Sequence, residues 1–327
     1  MQLNRRQVMS LAAASALTPL HNAFAQAGYP AKPITLVVPF APGGAVDNSG
    51  RLIAERLSRV LKVPVVVDNK AGAGGAIGSS FAAKAAADGY TLVVTSQSTH
   101  VVNPAVNPRL PYDALKDFAP ITLIDRLANV LLVNKDLPVK TFADLVKFAQ
   151  ANPDKLSYAS AGIGSVSHLS MELMKVQAKL PMTHIAYRAA GAALVDLLSG
   201  QVQLTWNNLS SNMSNIRNGN LRALAVAAPQ RVPQLPDVPT FGELKLPDLN
   251  LTSWTGLAAP ANTPEPIVQL LYKAVRSILN EAATQSVWTD KGMMVPEDIT
   301  PAAYRSEIAD RIQFYQRIAK ANNVVVE

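Results

Sequence analysis

The chain contains no cysteine. That absence excludes disulfides, thiolate nucleophiles and cysteine-based zinc sites together, and leaves the cellular compartment open. Histidine is scarce: His21, His100, His168 and His184 are widely spaced, with no His-x-x-x-His or acid-paired pattern. No metal site is therefore expected. Charge is thin as well, at 16% of 327 residues, with 30 Lys+Arg against 23 Asp+Glu and a net charge of +7. The basic residues form no runs, so a nucleic-acid partner is not expected. Beyond the first 25 residues, no stretch is apolar enough to cross a bilayer.

Several cofactor and catalytic signatures are also missing. No loop carries Gly-Lys-Ser/Thr, so a phosphate-cradling P-loop is absent. Gly162-Ile-Gly-Ser-Val-Ser167 is not the Gly-x-Ser-x-Gly of a nucleophile elbow. Gly72-Ala-Gly-Gly-Ala-Ile-Gly78 approaches a dinucleotide fingerprint, but its third glycine falls one position late. No cofactor is expected.

What is present begins with an export signal. Arg5 and Arg6 form a short basic region, an alanine-rich apolar stretch follows to Leu17, and Ala23-Phe24-Ala25 supplies a small-x-small cleavage pattern. Residues 1–25 are expected to be a cleavable signal peptide, with paired arginines resembling the twin-arginine type. Its loss removes two positive charges, leaving an excess of about +5 that mildly favours anionic partners. The remaining chain, in a sequence that is 49% hydrophobic overall, suffices for one large or two ordinary domains.

From Ile34 the pattern is strand, glycine loop, helix, repeated. Ile34–Pro39, Val63–Asp68 and Tyr90–Thr95 read as strands; Leu52, Ile53, Leu57 and Val60 mark a helix by their 3.6 period. A second unit follows. Thr141-Phe-Ala-Asp144 reads as a capping box, and strands are expected at Lys155–Ala161, Thr183–Tyr187, Val202–Trp206 and Leu221–Ala227. The alternation predicts an α/β fold of two lobes, each a mostly parallel sheet flanked by helices. Ile121–Asn134, with neither glycine nor proline, reads as the first crossing between lobes, and Leu251–Pro260 as the return. Helices near Glu265–Ala282 and Thr300–Ala321 complete the first lobe. Lobe 1 is then residues 26–125 plus 252–327, and lobe 2 residues 126–251.

In open parallel sheets, ligands bind beyond the strand carboxyl ends, where helix N-termini offer free N–H groups. Small-residue loops recur there: Ala41–Gly44, Ala71–Gly75, Ser96–His100, Gly162–Ser165 and Arg188–Gly191. Such loops suit an anion, because glycine admits close backbone approach and hydroxyls add donors. The expected contacts from lobe 1 are Ala41, Gly43, Gly44, Asp47, Gly74, Ser96 and Thr99. Those from lobe 2 are Gly164, Ser165, His168, Tyr187, Arg188 and Asn207. His168, in a helix first turn, reads equally as a neutral donor to the ligand or as a cap on the loop at Gly162. Arg188 reads as a bidentate carboxylate partner or as a solvated side chain. Trp206 and Trp254 read as core residues or as a wall for an aromatic ligand.

The run Pro39-Phe-Ala-Pro-Gly-Gly-Ala-Val-Asp47, with Arg51, resembles the opening signature of the Bug family, substrate-binding proteins of tripartite tricarboxylate transporters. The likeness continues through Asn69–Gly75, Gly162–His168, Tyr187–Gly191, Leu221–Ala225 and Leu235–Thr240. It implies a type II-like periplasmic-binding-protein fold, with a carboxylate ligand held by backbone amides, hydroxyls and waters between the lobes. It also implies a periplasmic location and delivery of the ligand, by a monomer, to membrane permease subunits. Departures occur near the ligand: Asn207 replaces a frequent aspartate, Ala190 and Ala193 a glycine and proline, and Thr255 an aromatic. Two rivals remain. One is an exported hydrolase using Ser165 or Ser96 with His168 and Asp47; the other is a ligand-sensing partner of a signalling receptor.

Overall fold

The computed structural model describes residues 28–187 and 190–321. The signal-peptide reading of residues 1–25, and Arg188, lie outside them. The chain divides into Met1–Ala31 and Lys32–Glu327; only residues 28–31 of the first unit are described, and the architecture below is that of the second.

The chain runs β1 (Ile34–Val38), α1 (Ala45–Leu61), β2 (Val65–Asn69), α2 (Ala76–Ala83), β3 (Thr91–Ser96), a short α3 (Asn103–Val106) and β4 (Phe118–Leu127). It continues with β5 (Asn129–Asn134), α4 (Phe142–Ala151), β6 (Ser157–Ser160), α5 (Val166–Ala178), β7 (Thr183–Ala186), α6 (Ala190–Ser199), β8 (Leu204–Asn208), α7 (Met213–Arg217) and β9 (Leu221–Ala227). After a connection of turns come β10 (Ser253–Pro260), α8 (Glu265–Asn280), α9 (Ala282–Asp290), β11 (Met293–Met294) and α10 (Pro301–Ala321).

Two sheets result, ordered β11-β4-β10-β3-β1-β2 and β7-β6-β8-β5-β9. Each contains a parallel half, β2-β1-β3 in the first and β7-β6-β8 in the second, built from the strand–helix repeats. Each also contains an antiparallel half, so the sheets are mixed rather than mostly parallel. The reason is the crossing between sheets. β4 leaves the first sheet and β10 returns to it beside β4, so the two run in opposite directions, from Ser253↔Leu127 to Pro260↔Phe118. Only Ala128 separates β4 from β5.

Burial follows the layers. All eight residues of β10 and all six of β5 are buried, as befits central strands covered on both faces. Helix α8 places Ile267, Leu271, Val275 and Ile278 against the first sheet, each burial contributing about 1.5–3 kcal/mol. The helix expected to reach Ala282 breaks at Glu281, whose extended backbone (φ −70°, ψ 127°) separates α8 from α9. Among the described residues no helix is long and apolar enough to cross a membrane.

Candidate functional site

A cavity of about 380 Å³ opens where the carboxyl ends of the parallel strands of both sheets face each other. Its walls are helix beginnings. β1 ends in Pro39-Phe40, and the loop Ala41–Gly44 turns into α1 with Gly43 at φ +87°, a value glycine adopts without strain. The N-cap of α1, Gly44, has no side chain to satisfy the first-turn amides, which therefore remain available to a ligand. Asp47 locks this loop from behind. Its Oδ2 accepts from Gly43 N and Arg51 Nε, both 2.9 Å, and its Oδ1 accepts from Asn69 Nδ2 at 2.8 Å. Burial pushes the Asp47 carboxyl up, but the bonds from Arg51, Asn69 and Gly43 hold it below the usual carboxylate range.

The second wall is the loop Ala71–Gly75, whose Ala73–Gly75 forms a 3₁₀ turn before α2. Gly75 sits at φ +92°, and a Cβ there would overlap the Thr99 side chain. The third is the end of β3. Ser96 lines the cavity, while Thr99 is wholly buried behind it and exchanges hydrogen bonds with both its hydroxyl (3.1 Å) and its amide. Ser98 begins a π-helical turn, Ser98–Val102, and its Oγ accepts from Val166 N at 3.3 Å, joining the two sheets' loops across the cavity.

On the other side, Ser165 is the N-cap of α5: its Oγ accepts from His168 N and donates to Gly162 O at 2.6 Å. His168 is 8% exposed; its ring is stacked on His184 with centroids 4.2 Å apart, and its Nδ1 accepts from Gly164 N at 3.4 Å. Burial pushes its pKa down to about 4, with the neighbouring His184 adding to the effect, so the ring is neutral at pH 7. Tyr187 donates from its hydroxyl to Asp196 at 2.6 Å. Asn207, at the end of β8, lines the cavity and accepts from Asn208 N through Oδ1.

Of the residues singled out from the sequence, Ala41, Gly43, Gly44, Gly74, Ser96, Ser165 and Asn207 meet around the cavity. Asp47, Thr99, Gly164 and His168 stand behind that wall and hold its loops, and Tyr187 is tied to α6. Residues not singled out also line it: Asn129, Asn208, Asn212, Ser211 and Ser253 among them. Asn129 begins β5 and Ser253 begins β10, and only tertiary pairing brings them together. Trp206 and Trp254 line the cavity with one face and pack into the core with the remainder, against Phe241 and Tyr304. Among the described lining residues none is Lys, Arg, Asp, Glu or His, so the electrostatics of this described part of the wall come from peptide and neutral side-chain dipoles. No cluster suited to a metal ion occurs among the described residues.

The fold of the chain has counterparts among solved structures. MatC from Rhodopseudomonas palustris, solved with bound malate, superposes with a TM-score of 0.84 at 35% identity, covering 89% of this chain and 99% of that one. A second R. palustris protein, solved with adipate, gives 0.87 at 34% identity over 91% and 99%. Among curated proteins, BugT of Bordetella pertussis is 36% identical over 293 residues, 89% of this chain and 90% of BugT. Residues 50–324 match the model of the tripartite tricarboxylate transporter family receptor, TctC. The chain belongs to that family of receptors.

Proposed function

We propose that the protein is a periplasmic solute receptor that captures a small carboxylate between two lobes and hands it to a membrane permease of the tripartite tricarboxylate type. The observation that carries this reading is the convergence of the N-termini of α1, α2, α5 and α6 on one cavity with no charged group in its described lining. Helix N-terminal amides with aligned dipoles, uncapped by any side chain at α1 and α2, stabilise an anion and offer nothing to a cation. The malate and adipate bound by the two structural relatives support the same chemistry.

The proposed lobes are residues 26–125 plus 252–327 and residues 126–251, closing about the two crossings, with the ligand shifting the balance by contacts made only in the closed form. The proposed contacts are those expected from the sequence, with Asp47, Thr99, Gly164 and His168 acting through the loops they hold. Arg188 is proposed as the charged partner. Arg188→Ala is expected to weaken carboxylate binding by about 1.5–3 kcal/mol, and unchanged affinity by calorimetry removes it from the site. The receptor is proposed to act as a monomer, which sedimentation of the purified protein checks.

The hydrolase alternative has less support. Ser165 Oγ spends its proton on Gly162 O, the His168 ring faces Gly164 N, and Asp47 is bound to Arg51 and Asn69. A thermal-shift screen against carboxylates, amino acids and aromatic acids tests the reading. Ligand at ~100 times its Kd adds about 2.7 kcal/mol to stability. A carboxylate that raises Tm and is recovered unaltered supports a binder. Shifts confined to neutral sugars or esters overturn it.

A further inference from the structure

Resting on the receptor reading, we infer that Ser98 is a latch between the two proposed lobes: its hydroxyl takes the first amide of α5 as they meet, which couples ligand capture to closure. The other polar braces of the cavity loops stay within one sheet. Asp47 ties its own loop to Asn69, Thr99 is tied to Ser96, and Ser165 ties α5 to Gly162. Ser98 reaches across. Among the described cavity loops, the bond from Val166 N to Ser98 Oγ at 3.3 Å is the one hydrogen bond between the two sheets. Away from the crossing strands, one more joins the proposed lobes among the described residues, from Gln234 Nε2 to Thr289 O at 3.3 Å, and it is exposed.

Both ends of that bond are prepared by the chain around them. Ser98 begins the π-helical turn Ser98–Val102, a conformation frequent at functional sites. Its neighbours are fixed in lobe 1: Gln97 Nε2 donates to the Tyr315 hydroxyl of α10, and Thr99 is bonded to Ser96. Gln97 and Thr99 are buried, whereas Ser98 is half-buried and lines the cavity. At the other end, Val166 is the first residue of α5, so its amide has no acceptor within the helix. The N-cap Ser165 gives its Oγ to His168 N instead, which leaves the Val166 amide to be met from the other sheet. The surfaces around the bond fit as well. The turn packs on α5, where Val101 and Val102 share one core with Val166 and Leu169. Nearby, a Cβ at Gly74 would lie 3.5 Å from Ile163 O.

The bond has a direction, and this couples it to a ligand. Ser98 Oγ accepts from Val166 N, so its own proton is left to give, and no described residue accepts it. A carboxylate in the cavity that takes this proton makes Ser98 Oγ a better acceptor for Val166 N, since hydrogen bonds in a chain polarise one another. The ligand then favours the closed arrangement through a contact that the open one lacks. With the lobes apart, both groups bond to water instead, so the latch is weak without a ligand.

The test is calorimetry and stopped-flow kinetics on the purified chain, with malate, adipate, glutamate and 3-phenylpropanoate as probes. Ser98→Ala removes the acceptor. Val166→Pro removes the donor at the first helical position, which suits proline, and the extended backbone of Ser165 (φ −82°, ψ 161°) suits the residue before one. For any probe that binds, each variant is expected to raise Kd about 3–10-fold, through faster dissociation with kon held within about twofold. The double variant is expected to bind no more weakly than the weaker single one, with melting curves confirming that each folds. The rate split in Ser98→Ala stands as a test by itself should Val166→Pro fail to fold. An unchanged Kd in Ser98→Ala, a loss carried by kon, or losses that multiply in the double variant overturn the latch and leave the carboxylate receptor standing. If no probe binds, and no acid in the wider screen, the receptor reading itself falls, and the latch with it.

Discussion

Asp125 lies wholly buried in β4, where its Oδ1 accepts from Thr255 N (3.2 Å) and Oγ1 (2.8 Å) while Oδ2 has no partner. Burial pushes its carboxyl up to about 6, against the pull of the bonds from Thr255. A raised acid binds its proton more tightly in the folded state, so ionising it costs stability as pH rises from about 4 through 6. Asp125→Asn is therefore expected to raise Tm at pH 8 and change it little at pH 4, by calorimetric melts. The described histidines work the other way. Burial lowers His168 to about 4 and His100 to about 3, and lowers His184 as well. Their contribution is complete above the ordinary value near 6.5 and is lost as pH falls through 4 and then 3. The protein is expected to lose Tm between pH 6.5 and 4, and His168→Gln to lose less over that interval.

Elements were legible where a local signal exists. Thr141 and Asp144 form the capping box read from the sequence, with Asp144 N donating to Thr141 Oγ1 at 3.1 Å. Thr141→Ala is expected to cost about 1 kcal/mol in denaturant titration. β9 was placed at its observed bounds because an apolar run lies between two turns. The direction of strands was not legible, since an alternating or apolar run reads alike in either sense, and both sheets turned out mixed. The π-helical turn Ser98–Val102 has no sequence signature either; it exists because Thr99 is drawn into bonds with Ser96. Within β10, Gly256 faces Tyr304, whose hydroxyl bonds Thr95 at 2.6 Å. A Cβ at Gly256 would overlap that hydroxyl, and Gly256→Ala is expected to cost about 1–3 kcal/mol.

Across the whole molecule, beside the β4–β10 ladder, the side chain of Asn129 ties the start of β5 to the approach to β10 and to β8. Asn129 Nδ2 donates to Leu251 O (2.7 Å) and Ser253 Oγ (2.9 Å), and its Oδ1 accepts from Asn208 Nδ2 (2.8 Å). Asn129→Ala strands these groups in a buried setting and is expected to cost about 1–3 kcal/mol, measured as a fall in the denaturation midpoint. The closure proposed above is expected to appear in solution scattering as a smaller radius of gyration with ligand than without, and an unchanged radius overturns it.

The sequence by itself determined the alternation of strand and helix, the glycine-bearing loops at helix beginnings and the family likeness, because each depends on residues near one another in the chain. Only the tertiary structure decided which loop residues face the cavity and which brace it from behind. Gly43 and Asp47 share one loop and helix turn, yet one lines the wall and the other locks it. Asn129, Asn208 and Ser253 meet across as many as 124 positions. A hydrophobic period records burial and not partnership, so side-chain roles at a site assembled from both sheets are settled by packing alone.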